Sequence, residues 1–215
     1  MKKRVAILIS GRGSNMMALV NATRAGEYPA EIVTVISSRP EAPGIAWARG
    51  QGVPAQAIDH RAYASREAFD EAIHKALTEA GAELVALAGF MRIQSAPFVR
   101  KWLGRQLNIH PSLLPLFKGL HPQRQALAAG VKVSGCSVHF VTEEMDAGPI
   151  IAQAAVPVHE GDGEDSLAQR ILAAEHKLYP HALRLVAAGQ ARLQDGRVAL
   201  AGVVNQPDVL YSPAP

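Results

Sequence analysis

Leu107-Asn108-Ile109-His110-Pro111-Ser112-Leu113-Leu114-Pro115 is the stretch on which the fold turns. Its first residues spell a short buried strand, with Leu107 and Ile109 pointing to one face and Asn108 and His110 to the other. Pro111 cannot donate to a ladder, so the strand stops there. A carboxamide and an imidazole are thus presented together at the C-terminal end of a strand, where ligands bind in an open α/β sheet. Asn supplies a neutral donor for a developing oxyanion, and His exchanges a proton near neutral pH. A carboxylate would complete the set. Asp146, in Thr142-Glu143-Glu144-Met145-Asp146-Ala147-Gly148-Pro149, is the candidate. For an isolated Asn-x-His the plain alternative is two polar residues closing a strand end, so the rest of the chain decides between them.

Upstream, Val5-Ala6-Ile7-Leu8-Ile9 is a continuous apolar run, the mark of a strand buried on both faces of a parallel sheet. Ser10-Gly11-Arg12-Gly13-Ser14-Asn15 follows, then a helical pattern with Met16, Leu19 and Val20 on one face. Strand, glycine loop and helix together make a geometry that cradles phosphate on backbone amides. Met16 stands where a dinucleotide fingerprint needs its third glycine. The next strand, Ile32 to Ile36, ends in Ser37-Ser38-Arg39-Pro40 with no acidic residue for a ribose. NAD and FAD are therefore demoted in favour of a monophosphate, with a plain strand-to-helix turn as the competing reading of this loop.

A helix is expected over Gly44 to Gln51 and a short strand over Ala55 to Ile58. Ser65 reads as the N-cap of a helix through Glu79 that turns Phe69, Ile73, Ala76 and Leu77 inward. Leu84 to Ala88 is a fourth buried strand, and the apolar loop Gly89-Phe90-Met91-Arg92-Ile93 precedes a helix from Ser95 to Leu103. Such a loop either lines a pocket for a flat ring or packs under the following helix. Pro111 to Gln123 reads as a long irregular loop, and Arg124 to Ala129 as a short helix. Val133 to Val141 alternates polar and apolar residues, which predicts a strand with one less-buried face; Ile150 to Val158 is its partner. Ser166-x-x-Gln169 reads as a capping box opening a long helix, which Pro180 should kink or end. Ala191 to Leu200 is a hairpin turning at Asp195-Gly196, and the last dozen residues form a loose tail. The fold class is α/β: a Rossmann-like open, mostly parallel sheet with helices on both faces and an antiparallel C-terminal element.

The chain has 215 residues and no internal repeat or linker, so a single domain over residues 1–215 is expected, with about 203–215 as the tail. Hydrophobic residues make up 48% and charged residues 19%, a balance that suits a packed core rather than disorder. Net charge is +3 and the sequence pI about 9.2, but no basic run with interleaved aromatics supports a nucleic-acid partner. Cys136 is the single cysteine, which excludes an internal disulfide and a cysteine-based metal cluster and suits a reducing cytoplasm. No stretch is long enough to cross a bilayer, and the short apolar run after Met1-Lys2-Lys3-Arg4 is not a signal peptide.

Taken together, Gly11-x-Gly13-Ser14-Asn15, Ala88-Gly89-Phe90-Met91-Arg92-Ile93, Leu107 to Pro115, and Ser137-Val138-His139-Phe140-Val141-Thr142 with Asp146-x-Gly148-Pro149 resemble the phosphoribosylglycinamide formyltransferase family. The resemblance is collinear from about residue 4 to the hairpin. It implies a formyltransferase fold and transfer of a formyl group from 10-formyltetrahydrofolate, a co-substrate, to the amine of a phosphoribosyl substrate in purine biosynthesis. Carried over, Asn108, His110 and Asp146 would be catalytic. Gly13, Ser14 and Asn15 would bind the substrate phosphate, and Glu175 would face its ribose. Arg66, Met91, Arg92, Ile93, Gln94 and Asn108 would contact folate, as would the segment Thr142, Glu143, Glu144, Met145 and Asp146. The resemblance implies small-molecule partners without nucleic acid or membrane, a monomer or homodimer, and a cytoplasmic setting. No metal is expected, because the leaving group is a protonatable nitrogen and the oxyanion meets two donors.

Two positions depart from the family pattern. Leu172 stands where a Gln is usual, three residues before Glu175, and Leu116 stands where Lys is frequent, with Lys118 close by. Three competitors carry different expectations. A formyltetrahydrofolate hydrolase shares the Asn-His-Asp set but has no need of the glycine loop and usually carries a preceding regulatory domain. A methionyl-tRNA formyltransferase would carry a further C-terminal domain. A non-catalytic folate-binding module has no need for Asn108, His110 and Asp146 at once.

Overall fold

Val5 to Ile9 is buried from both sides, and its alternation sorts the whole molecule into layers. The structure, a computed structural model, describes residues 1–202; the tail expected at 203–215 lies outside the described residues. The first strand, β1 (Lys3–Ile9), is an interior strand of a seven-stranded sheet with β2 (Ala30–Ser37), β3 (Ala55–Ala57), β4 (Leu84–Leu87), β5 (Gln106–His110), β6 (Val133–Phe140) and β7 (Ile150–Pro157). The order is β3-β2-β1-β4-β5-β6-β7. Strands β1 to β5 pair in parallel, whereas β5 with β6 and β6 with β7 pair antiparallel. A separate hairpin, β8 (Ala191–Gln194) and β9 (Arg197–Leu200), turns at Asp195 and Gly196, both with positive φ.

Val5, Ile7 and Ile9 enter one core with Met16, Leu19 and Val20 of α1 (Ser14–Arg24), Ala48 of α2 (Pro43–Gly50), Ala126 of α5 (Pro122–Ala128), and Leu167, Ile171 and Tyr179 of α6 (Glu164–Ala187). Ala6 and Leu8 enter the other, with Phe69, Ile73 and Leu77 of α3 (Arg66–Glu79) and Phe98 of α4 (Ala96–Lys101). Ser65 caps α3 as its hydroxyl accepts from the Ala68 amide at 3.1 Å. Because the chain winds from β1 out to β3 and then returns to β4 beside β1, the order reverses between β1 and β4. The loops after β1 and β4 open there, at the carboxyl ends of the parallel strands.

Several sequence expectations need correction. Strand β6 has no less-buried face beyond Val133: every residue from Ser134 to Phe140 is buried. The 111–121 loop folds back onto its polar side, with the Leu114 amide donating to Ser137 Oγ and that hydroxyl donating to the Ser112 carbonyl. The loop is also shorter than expected, since α5 starts at Pro122, where proline suits a first helical position. Ser166 does not cap with Gln169. It lies in the first turn of α6, accepts from the Gly163 amide and donates to Asp162 Oδ1 at 2.8 Å. Pro180 does not end α6, which runs on to Ala187. The Pro180 carbonyl instead accepts from the Tyr28 hydroxyl at 2.5 Å, and α6 stays packed in the core on both sides of it.

Candidate active site

In β5 the side chains of Leu107 and Ile109 join the α1/α6 core, so the pleat sends Asn108 and His110 to the opposite face. In β6 Cys136, Val138 and Phe140 do the same, which sends Ser137 and His139 beside them. Antiparallel register then sets Asn108 opposite His139 and His110 opposite Ser137. Four polar side chains form one patch in which His110, Ser137 and His139 are buried. From the far side of the sheet, Tyr179 of α6 pins this end of β4 and β5 by directing its hydroxyl at the Leu87 carbonyl (3.0 Å) and the Leu107 carbonyl (3.1 Å).

Asp146 reaches the patch from the turn between β6 and β7. Its Oδ2 lies 3.3 Å from His110 Nδ1 and its Oδ1 3.8 Å from His139 Nε2, with the carboxylate almost wholly buried. The Gly119 amide donates to Oδ2 at 2.9 Å. The turn lies flat on β6: a Cβ at Gly148 would sit 1.7 Å from the Phe140 carbonyl oxygen, so no side chain fits there. Asp146 itself is left-handed, with φ 51. Phe117 (φ 55) and His121 (φ 56) share that conformation, so three of the four described non-glycine residues with positive φ belong to the two segments that close on His110. His110 Nε2 lies 2.9 Å from the Phe117 carbonyl, so both ring nitrogens meet an oxygen that accepts.

His139 is the residue that sequence reasoning left without a role. Its Nε2 lies 3.2 Å from Asn108 Nδ2 and its Nδ1 2.9 Å from the Phe140 carbonyl. Burial pushes its pKa below the ordinary histidine value, against the raising effect of the Phe140 carbonyl and the Asp146 charge. The alternation of β6 contained the signal, but only the pairing of β6 with β5 brings His139 to Asn108.

Beside the patch, at the reversal of strand order, stands the glycine loop. Gly13 is left-handed (φ 71) at the start of α1, and the loop is packed so closely on α2 that a Cβ at Gly44 would lie 3.0 Å from the Gly11 and Arg12 carbonyls. Ser14 is half-buried and Asn15 buried. Asn15 Nδ2 donates to Glu175 Oε2 of α6 at 2.7 Å, while Asn15 Oδ1 is buried without a partner. Glu175 is 5% exposed, and its burial raises its carboxyl pKa, with Asn15 pulling the other way.

The loop after β4 forms the next wall. Ser10 accepts from the Met91 amide at 2.8 Å and bonds Ser38, tying this loop to the ends of β1 and β2. Met91 and Ile93 stand out at 62% and 64% exposure, with Arg92 also exposed. Gln94 is half-buried and accepts from Gln106 Nε2. Asp70 of α3 accepts from the Ser95 amide at 2.6 Å, which ties α3 to the end of this loop; Arg66, at the start of α3, is exposed. The opposite rim is the 142–146 segment. There Thr142 Oγ1 donates to the Glu144 carbonyl, Glu143 pairs with Arg100, Glu144 pairs with Lys118, and Met145 is exposed. Leu116 and Leu120 of the 111–121 loop are also exposed. Of the two departures, Leu172 is half-buried three residues before Glu175, and Leu116 is exposed on the loop that carries Lys118.

The formyl transferase family matches residues 3–183 of the chain. Phosphoribosylglycinamide formyltransferase of Escherichia coli (strain K12) is 41% identical over 198 residues, covering 92% of this chain and 93% of that protein. The trifunctional purine biosynthetic protein adenosine-3 of Bos taurus is 54% identical over 198 residues, and the chain spans 20% of that protein's length. Among solved structures, glycinamide ribonucleotide transformylase 1 from Symbiobacterium toebii superposes with a TM-score of 0.90 at 50% identity, covering 93% of this chain and 94% of that one.

Proposed function

The chain belongs to the formyl transferase family, and from that premise we propose that it transfers the formyl group of 10-formyltetrahydrofolate to the amine of 5-phosphoribosylglycinamide, giving formylglycinamide ribonucleotide and tetrahydrofolate in purine biosynthesis. The observation that carries this reading is the buried Asp146 carboxylate lying within 3.3 Å of His110 on the same sheet face as Asn108, at the mouth where the glycine loop opens.

The chemistry runs from that patch. The substrate amine attacks the formyl carbon and a tetrahedral oxyanion forms. Asn108 donates to the oxyanion; one such donor is worth about 3 kcal/mol. His110, oriented by Asp146, stabilises the same charge and protonates the departing folate nitrogen as the C–N bond breaks, and the proton shed by the attacking amine restores it, a transfer worth roughly 10²–10⁴-fold. Gly13, Ser14 and Asn15 hold the substrate phosphate at the start of α1, and Glu175 takes the ribose. Arg66, Met91, Arg92, Ile93 and Gln94 on one wall and residues 142–146 on the other receive the folate. Among the described residues no helix is long and apolar enough to cross a membrane. A cytoplasmic monomer or homodimer that takes up small molecules fits this chemistry, and no step in it requires a metal.

The test is an assay of tetrahydrofolate release from 10-formyltetrahydrofolate with and without the phosphoribosylglycinamide amine. Release that depends on the amine is expected. Release at a comparable rate without it would make the chain a hydrolase, and no release would make it a folate-binding module.

A further inference from the structure

An oxyanion donor is useful only if it cannot turn round. A carboxamide has two nearly isosteric orientations, one offering N–H and the other offering an oxygen that would repel a developing negative charge. Asn108 is only partly buried, so packing alone does not choose between them. Its register partner on β6 does.

The choice follows from a chain of acceptors. The Phe140 carbonyl accepts at 2.9 Å from His139 Nδ1, which must therefore carry a proton. The ring is 2% exposed, and burial lowers its pKa, which favours the neutral ring carrying that one proton. Nε2 is left as a bare lone pair, 3.2 Å from Asn108 Nδ2. Only a donor suits that position, which spends one amide hydrogen on the ring and leaves the second free. The reversed amide would set its oxygen against the lone pair. Asp146 Oδ1, 3.8 Å from Nε2, is an acceptor too and offers the ring no competing proton.

We infer that His139 is a positioning residue: its singly protonated ring locks the Asn108 carboxamide with an N–H turned to the reacting carbonyl. This rests on the formyl-transfer reading above. His139 touches neither substrate; it acts through Asn108.

His139→Leu, which fills space without an acceptor, is expected to lower kcat roughly 10–100-fold while leaving KM for both substrates within about twofold. His139→Gln, whose side-chain oxygen can accept near the position of Nε2, should recover most of the rate. In an Asn108→Ala background His139→Leu should cost less than about twofold more, because the group it orients is gone. On the unaltered protein, ¹⁵N NMR of the imidazoles should show His139 protonated at Nδ1 alone, a readout that needs no variant to fold. An equal loss from His139→Leu in the presence and absence of Asn108, or a proton on Nε2, would overturn the inference. The two levels separate cleanly. A slow Asn108→Ala beside a fast His139→Leu removes only the lock, whereas a fast Asn108→Ala removes the oxyanion role on which the lock depends.

Discussion

One row of neighbouring residues crosses the sheet, and its two ends differ in kind. Ile36, Leu8 and Leu87, on β2, β1 and β4, are apolar; Asn108 and His139, next in register on β5 and β6, are polar. All five lie on the same face. The first three meet the side chains of α3 and α4, where Leu8, Ile36 and Leu87 join Phe69, Ile73, Leu77 and Phe98. The last two meet each other, the Phe140 carbonyl and the carboxylate of the Asp146 turn. The opposite face stays apolar along both halves, from Ile7 and Ile9 to Leu107, Val138 and Phe140. Polar chemistry thus sits where the second helical layer stops, over a core that does not depend on it. Buried polar groups there find partners that a helix flank would not supply.

The comparison breaks first on the polar end. Asp146→Asn and Asn108→Ala should each lower kcat by roughly 10²–10⁴-fold, with melting temperatures close to the parent by circular dichroism. At the apolar end Leu8→Ala should do the reverse. It should cost about 2–5 kcal/mol in denaturant unfolding and leave the turnover of the folded fraction unchanged. A large loss of kcat in Leu8→Ala without loss of stability would erase the division between the halves.

Glu175 sharpens it. Burial raises its carboxyl above the ordinary value of 4.5, so the folded chain binds that proton more tightly than the unfolded chain does. Stability is therefore lost as pH rises above that value. Glu175→Gln should melt higher than the parent near neutral pH, with the difference closing as the pH falls towards 4.5; a constant difference across pH would contradict the cause given. The smallest effect is expected at the α3 cap, remote from the β5/β6 patch, where Ser65→Ala should cost about 1 kcal/mol with kcat unchanged.

Much of this division was legible in the sequence because it rests on local period. Val5 to Ile9 declared a strand buried on both faces, and the alternation at Leu107 to His110 declared which residues turn from the core. Ser65 and Asp195-Gly196 declared a cap and a turn. What was not legible depends on distant partners. Ser137 and His139 read as the wetter side of a strand, because nothing local says that residues 111–121 fold back onto that side at Ser137. Pro180 read as a kink or an end, and the helix does not end there, because Tyr28 and the core around α6 hold it. His139 had no role until β6 paired with β5. Asp146 could be nominated from its residue type, but its approach to His110 depends on a left-handed backbone and on the bare Gly148 contact with β6.

The most direct test of the account is the turnover of His110→Ala, measured as amine-dependent tetrahydrofolate release on a sample whose melting temperature is recorded alongside. The account predicts a fall of at least about 100-fold in a protein that melts close to the parent. Near-parental turnover in that folded variant would contradict it.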